Sequence, residues 1–273
     1  MSATHGAQVT ASRAANSKPL EILTRAGFIG YGIVHVLFAW LALQIAFGKS
    51  AQEGDQTGAM QTLAAQPIGK TLLVAVAVGL LAMALWQLSE AFVGHQEERG
   101  RRRVFERVAS GARAVLYAWF AWTAVKVVND AGSSSADKQQ AMSAQLMSSG
   151  GGRFLVGLVG VAVLALGVGM VGYGAKKKFE EKLHTERMNA GTSKLARRLG
   201  VAGYSAKGVA VAIAGVLVVG AAVTYDPDKA RGLDAALRTL RDQSYGPILL
   251  TLVALGIAAF AAFCVIQAKY RKV

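Results

Sequence analysis

The sequence predicts an all-α integral membrane protein, in which six transmembrane helices form three parallel repeats of a helical hairpin around a pseudo-threefold axis. Three observations lead to this fold class. The apolar residues fall into long blocks, the basic residues lie between alternate blocks, and one glycine-containing phrase recurs along the chain. A soluble bundle of buried helices is the alternative, and long apolar blocks with basic flanks argue against it.

Apolar residues are concentrated in blocks rather than spread along the chain. They make up 53% of the 273 positions, and charged residues make up 17%, whereas soluble domains average about 45–50% and about 25%. A helix needs about 20 mostly apolar residues to cross the core of a bilayer. Blocks of that length cover residues 27–47, 71–93, 108–128, 154–174, 201–223 and 248–268.

The residues before the first block are rich in Ser, Ala, Thr and Gln, which predicts a disordered cytoplasmic tail over residues 1–24. A secretory signal would place a short apolar stretch and a small-residue cleavage site near the start. The first apolar block here is long enough to span a bilayer, so we expect an uncleaved span. Cys264, the single cysteine, lies in the last block and can form no internal disulfide.

Lys and Arg lie mainly on one side of the predicted membrane. The two terminal segments and the second and fourth loops carry nineteen of them, and the alternate loops carry eight. The positive-inside rule therefore predicts a bacterial plasma-membrane protein with both termini in the cytoplasm. Anionic lipid is the partner expected at the cytoplasmic face. Nucleic acid is not, because the basic residues are spread over short loops at the membrane edge.

One phrase appears near the start of the first and fifth blocks. The stretch RAGFIGYG begins at Arg25, and RLGVAGYS begins at Arg198 with the same spacing of Arg, Gly and Tyr. A diverged third copy begins at Arg107, with alanines in place of both glycines. The loop before each even block aligns as well. The chain is thus divided into a tail (1–24), hairpins at 25–93, 107–175 and 198–273, and basic cytoplasmic linkers at 94–106 and 176–197.

An even number of spans in each unit keeps all copies in one orientation, as in parallel repeats related by an axis along the membrane normal. Within the phrase, the glycines and the tyrosine are three or four residues apart and share one face of a helix. Small residues let helices approach closely in lipid. We therefore expect helix packing at Gly27, Gly30, Gly200 and Gly203.

The repeated phrase and the loop GAMQTLAAQPIGK resemble those of the bacterial membrane family known as domain of unknown function 1206. The resemblance covers about residues 21–272. The middle copy departs from the pattern, with Ala109 and Ala112 for the glycines and the loop SSGGGR in place of a proline. The resemblance implies a six-span membrane protein without an established biochemical activity, and it assigns no functional residue.

Two of the loops on the less basic side contain apolar residues at helical spacing, at 58–66 and 232–240. They predict short helices, which either lie in the outer membrane interface or are ordinary helical connectors.

Residues for catalysis or cofactor binding are few, and we expect no enzyme activity, no cofactor and no metal site. The four histidines are scattered and have no metal-ligand spacing. The stretch GVGMVG at 167–172 fits a dinucleotide-binding pattern, but it lies inside an apolar block and predicts a packing face. A haem held by two histidines is disfavoured because His35 and His95 fall at different depths.

Ionisable residues inside a membrane are costly and suggest function. Lys207 lies nine residues after Arg198, a depth of about 14 Å at about 1.5 Å per residue, near the middle of the bilayer. His35 has a similar depth, and Arg113 is about 9 Å deep. Lys126 and Glu90 lie near the ends of spans and are expected to reach the interface. The speculative ligand-binding residues are Lys207, Arg113, His35, Tyr204 and Tyr31.

These residues predict a protein that binds or conducts a small polar solute or an anion. The competing class is a non-transporting scaffold or accessory subunit, whose glycine faces pack helices and whose basic loops hold anionic lipid or a protein partner in the membrane. The scarcity of acidic residues in the spans fits the scaffold nearly as well. For Lys207 itself, the alternative is a structural group that bends to the interface or caps a broken helix.

Overall fold

The computed structural model describes residues 18–48, 54–94, 100–129, 135–149 and 151–272. Within these ranges the chain is all-helical, with one isolated backbone bridge between Leu183 and Arg271. The helices, in chain order, are α1 (Lys18–Ala46), α2 (Gln56–Ala64), α3 (Gly69–Phe92), α4 (Gly100–Val128), α5 (Ser135–Met147), α6 (Gly152–Ala175), α7 (Ala190–Thr224), α8 (Gly232–Arg241) and α9 (Gly246–Tyr270).

The first helix of each hairpin begins seven or eight residues before the arginine that marks its repeat, at Lys18, Gly100 and Ala190. The expectation of a disordered tail as far as residue 24 is therefore corrected, while residues 1–17 lie outside the described part of the chain. Pro19 is compatible with a first helical turn, where a backbone N–H has no helical partner. At α7, the Asn189 side chain caps the helix by accepting a hydrogen bond from the Thr192 N–H at 2.7 Å.

Five helices in the described residues are long and apolar enough to cross a membrane, by length and composition. They cover Thr24–Ala46, Gly69–Phe92, Gly152–Ala175, Ala190–Thr224 and Gly246–Tyr270. The protein is therefore a multi-pass membrane protein. The sixth predicted span falls in α4, which is as long as α1 but contains Arg113 and several weakly apolar aromatic residues. Its crossing of the membrane stays a prediction.

The long helices pack side by side in the order α4, α3, α1, α9, α7, α6. The second helix of each hairpin thus packs against the first helix of the next hairpin, with α9 returning to α1. In the first and third hairpins the two helices also pack on each other, whereas α4 and α6 form no such interface within the described residues. The second hairpin is split between its neighbours, and the pseudo-threefold arrangement stays a prediction.

The short helices α2 and α8 confirm the helices predicted at 58–66 and 232–240. The Asp55 side chain caps α2 by accepting from the Gly58 N–H at 2.9 Å. Met60 in α2 and Leu237 in α8 are buried, and these helices pack on α1 and α7. Both helices therefore act as packed connectors of the bundle.

One end of the bundle is closed by the segment between α6 and α7. We call this end of the bundle the basic end. It consists of residues 176–189, the start of α4 and the residues after α9. The His184 N–H donates to the Tyr270 carbonyl at 2.8 Å, and the Lys272 N–H donates to the Lys182 carbonyl at 3.1 Å. The guanidinium of Arg25 donates to the carbonyls of Ala268 and Lys269, both at 2.7 Å. These bonds attach the end of α9 to the segment and to α1.

The four glycines singled out in the sequence lie at close approaches. A Cβ on Gly30 would lie 3.2 Å from Val76 of α3, and Gly27 lies against Gly79 of the same helix. A Cβ on Gly200 would lie 2.5 Å from the ring of Phe179, and one on Gly203 would lie 2.7 Å from the backbone of Phe260 in α9.

Candidate functional site

The side chain of Lys207 leaves α7 and reaches across one face of α9 to α1. Its Nζ lies 3.0 Å from His35 Nε2 and 3.1 Å from the Tyr31 hydroxyl, both on α1. It also lies 3.9 Å from the centre of the Phe260 ring, close enough for a cation–π contact. The structure thus brings together three of the five residues that the sequence singled out as ligand-binding.

The hydrogen bonds define the state of His35. Its Nδ1 lies 2.8 Å from the Tyr31 carbonyl, an atom that can only accept, so Nδ1 carries a proton. In the neutral ring Nε2 then has a lone pair and accepts from the Lys207 ammonium. A doubly protonated ring would place two cations in contact inside the bundle. The structure therefore favours a neutral imidazole that orients Lys207.

Small residues make this contact possible. Gly203 lies against Phe260, one turn before Lys207, and lets α7 approach α9. On the other side of α9, a Cβ on Gly32 would lie 3.2 Å from Cys264. With α1 and α7 both close to α9, their side chains can meet across its surface. Of the repeated glycines, Gly203 is the one that lies at this site, and Gly32 allows the close approach from α1.

The charge of Lys207 has no acidic counterpart in the described part of the chain. Its hydrogen bonds go to a hydroxyl and an imidazole, and no carboxylate contacts it there. His35 and Tyr31 are 0% and 8% exposed, whereas Lys207 is only partly buried. A partly buried ammonium that no carboxylate contacts in these residues is the arrangement expected of a site for an anion or a hydrogen-bond acceptor.

Tyr204 and Arg113 lie away from Lys207. Tyr204 stacks on Phe179 with ring centres 5.7 Å apart and contacts Phe260 edge-on, and no hydrogen bond joins it to Lys207 in the described residues. The guanidinium of Arg113 pairs with Glu106 at 3.7 Å and lies 3.4 Å from the side-chain oxygen of Gln87. Both residues therefore contact the basic end, Tyr204 through Phe179 and Arg113 through Glu106 in the first part of α4.

Tyr117 of α4 was missed by the sequence analysis. Its ring contacts Tyr31 edge-on, with centres 5.6 Å apart. A signal was present, because Tyr117 and His35 each lie ten residues after the marker arginine of their repeat. Through this contact α4 reaches the same interior surface. The described residues contain no group of three or more His, Cys, Asp or Glu side chains that could hold a metal ion.

Comparisons with known proteins agree with this organisation. The chain matches the family described as Domain of Unknown Function (DUF1206) in three tandem segments, residues 26–94, 108–177 and 202–271. It is similar to the uncharacterized protein YxxB of Bacillus subtilis (strain 168), with 28% identity over 250 residues and 90% of each chain covered. No solved structure matches. The family segments account for most of the chain as three copies of one unit, and the chain belongs to the family described as Domain of Unknown Function (DUF1206).

Proposed function

We propose that this protein is a binding protein of the bacterial plasma membrane that holds a small anion beside Lys207, inside a bundle of six spanning helices. The single observation that carries the proposal is the Lys207 ammonium, which contacts Tyr31 and His35 and no carboxylate in the described residues. An unpaired charge at membrane depth costs at least about 2.5 kcal/mol. A bound anion would offset that cost.

The surroundings of Lys207 support an anion over a cation. A cation would meet the positive ammonium and the hydrogen of the Tyr31 hydroxyl, whereas an anion can accept a hydrogen bond from both. The basic end adds to this preference, since nineteen Lys and Arg residues are predicted on that side, and such a field raises the local concentration of anions. Both termini are proposed to lie in the cytoplasm, so the anion would approach from there.

A thermal-unfolding experiment on the purified protein in detergent tests the proposal. Chloride, nitrate, acetate and phosphate are titrated at constant ionic strength against the parent and Lys207→Met, which keeps volume and removes charge. An anion at about 100 times its Kd should add about 2.7 kcal/mol of stability. We expect that gain in the parent and its loss in Lys207→Met.

Lys126→Met is the matched control. Lys126 also lies in a long helix, α4, where its Nζ is 5.3 Å from the centre of the Trp122 ring, away from the site. The control should keep the anion-dependent gain. An equal gain in Lys207→Met, or none in the parent with any of the four anions, would refute the proposal. Anion flux into proteoliposomes then separates a conducting protein from one that only binds.

A second function is favoured by the charge distribution alone. A scaffold or accessory subunit that holds anionic lipid or a membrane partner would also use a strongly basic face. Mass spectrometry of the intact protein with retained lipid tests it, since a scaffold of this kind should copurify with anionic lipid or with a stoichiometric protein. Purification without either would argue against it.

A further inference from the structure

Arg271, directly after α9, is a buried cation outside the Lys207 site. It is 8% exposed, and its guanidinium lies beside the edge-on pair of Phe28 and Trp86, at 5.6 Å and 5.7 Å from the centres of their rings. Its Nη1 donates to the side-chain oxygen of Gln267 at 2.9 Å. The aromatic faces and the amide thus hold the plane of the guanidinium in one orientation.

The backbone at this position is held as well. Arg271 forms the antiparallel bridge with Leu183, and the preceding turn of α9 accepts two hydrogen bonds from Arg25. A binding group works best when its own position is determined by its supports. Contacts of both its side chain and its main chain hold Arg271 in position.

Two polar atoms at this junction are buried and have no hydrogen-bond partner among the residues that the structure describes. They are Arg271 Nε and the hydroxyl oxygen of Thr24. Thr24 lies one turn before Phe28 on the same face of α1, so it belongs to the region that Arg271 packs against. No carboxylate contacts Arg271 within the described residues. A buried donor without a partner is costly, by about 1–3 kcal/mol, and calls for a ligand or another explanation.

The surrounding charges leave this end of the bundle positive. Glu106 lies 3.7 Å from Arg113 and 3.4 Å from Lys182, so one carboxylate faces two cations there. Two further carboxylates of this end are each paired with one cation, Glu180 with Arg197 at 2.8 Å and Glu181 with Arg102 at 3.7 Å. The basic side chains therefore remain in excess there.

We propose that Arg271 forms an oxyanion-binding site at the basic end, separate from the Lys207 site and independent of the function proposed there. With Nη1 engaged by Gln267, the edge formed by Nε and Nη2 is left for the ligand. That edge presents two parallel N–H groups, which match two oxygens of a phosphate or carboxylate. The ligand is a free oxyanion or the phosphate of a lipid headgroup. The rival account is that Arg271 only packs against the two rings.

The test uses the full chain, purified and stripped of lipid. Thermal unfolding is followed during titration with inorganic phosphate, and separately with phosphatidylglycerol against phosphatidylcholine. The variants are Arg271→Gln, Arg271→Lys, which keeps the charge but not the planar edge, and the control Lys272→Gln. We expect phosphate or phosphatidylglycerol to stabilise the parent and the control. Loss of one charge-assisted bond should weaken binding at least tenfold in Arg271→Lys, about 1.4 kcal/mol.

The probe that stabilises the protein identifies the source. A gain with phosphate in the absence of lipid indicates a free oxyanion, and a gain with phosphatidylglycerol alone indicates a headgroup. Equal gains in the parent and Arg271→Lys, or no gain in the parent with either probe, would overturn the proposal. If Arg271→Gln does not fold, Arg271→Lys carries the comparison. Lys207→Met should keep the gain, which separates failure at this site from failure at the other.

Discussion

The contact between Lys207 and His35 places two basic side chains next to each other in a membrane-spanning bundle. It is favourable because the imidazole is neutral and accepts from the ammonium, while its own N–H is bonded to the Tyr31 carbonyl. The geometry requires all three groups, since Tyr31 also accepts from Lys207 through its hydroxyl. This interdependence has a measurable consequence.

Lys207→Met and His35→Leu should not act independently on stability. Removing Lys207 leaves His35 Nε2 buried and unpaired, and removing His35 deprives Lys207 of its acceptor, so each single change should cost more alone than after the other. A double-mutant cycle by thermal or denaturant unfolding should give a coupling energy of about 0.5–3 kcal/mol. The pair Lys126→Met and His35→Leu, whose side chains belong to separate contacts, should be additive. Additivity in both cycles would contradict the hydrogen-bonded triad.

The glycine at position 203 should tolerate no larger side chain. A Cβ there would lie 2.7 Å from both Cα and Cβ of Phe260, so Gly203→Leu must separate α7 from α9 and should cost about 1–3 kcal/mol. Gly169→Leu on α6 is the control, because no atom lies within 4 Å of a Cβ at that position. A lowered melting temperature is expected in detergent for the first variant alone. Equal melting temperatures would show that Gly203 is not at a close contact.

The depth of Lys207 along its helix could be predicted from the sequence, whereas the residues that contact it could not. Counting from Arg198 measures depth along α7, whereas the partners Tyr31 and His35 depend on how α1 and α7 meet across α9. Tyr204 was expected beside Lys207 from spacing on the same helix; both contact the Phe260 ring, and no hydrogen bond joins them in the described residues. Arg271 was treated as one of many flanking charges. Its spacing of four residues from Gln267 was a local signal, but its burial depends on Phe28 and Trp86 from other helices.

At the scale of the elements, α4 differs from the other long helices. Its apolar surface is interrupted by Arg113, and two tryptophans, Trp119 and Trp122, are 59% and 57% exposed. Helices α4 and α6 belong to one repeat by sequence, yet each packs on a different neighbouring hairpin. The repeat in the sequence could therefore reveal three equivalent units without revealing how the middle one is placed.

If α4 spans the membrane, its exposed tryptophans should face lipid. Variants that retain one tryptophan, with phenylalanine at the other three positions, are reconstituted into liposomes whose acyl chains carry bromine, a fluorescence quencher. Bromine should quench the emission of the variant that retains Trp122. The variant that retains Trp86, which is 5% exposed, is the buried control, and its emission should be protected. Emission from Trp122 that bromine leaves unchanged and aqueous acrylamide quenches would place α4 outside the lipid.

At the scale of the whole molecule, charge predicts the orientation. The segment 176–189, the start of α4 and the end of α9 meet at one end, so the basic residues of distant parts of the chain are gathered there. The sequence predicts this, because two spans in each repeat would return every linker to the same side. The bundle then has one basic face and one face formed by the connectors α2, α5 and α8.

Topology mapping in cells checks that orientation. A reporter fused at the C-terminus, after Val273, should behave as cytoplasmic, and one inserted between α2 and α3 should behave as external. The physical reason is the retention of Lys- and Arg-rich segments on the cytoplasmic side. An external C-terminal reporter would mean that the charge distribution does not determine the topology.

The central claim is that the Lys207 ammonium is a site for an anion, and anomalous diffraction locates such a ligand directly. Crystals of the protein grown with bromide, as a halide, and with bromoacetate, as a carboxylate, would be measured at the bromine absorption edge. We predict an anomalous peak next to Lys207 Nζ, on the side away from His35 and Tyr31, with at least one of these probes. A well-ordered Lys207 with no bromine beside it under saturating concentrations of both, or one bonded to a carboxylate of the chain, would contradict the account.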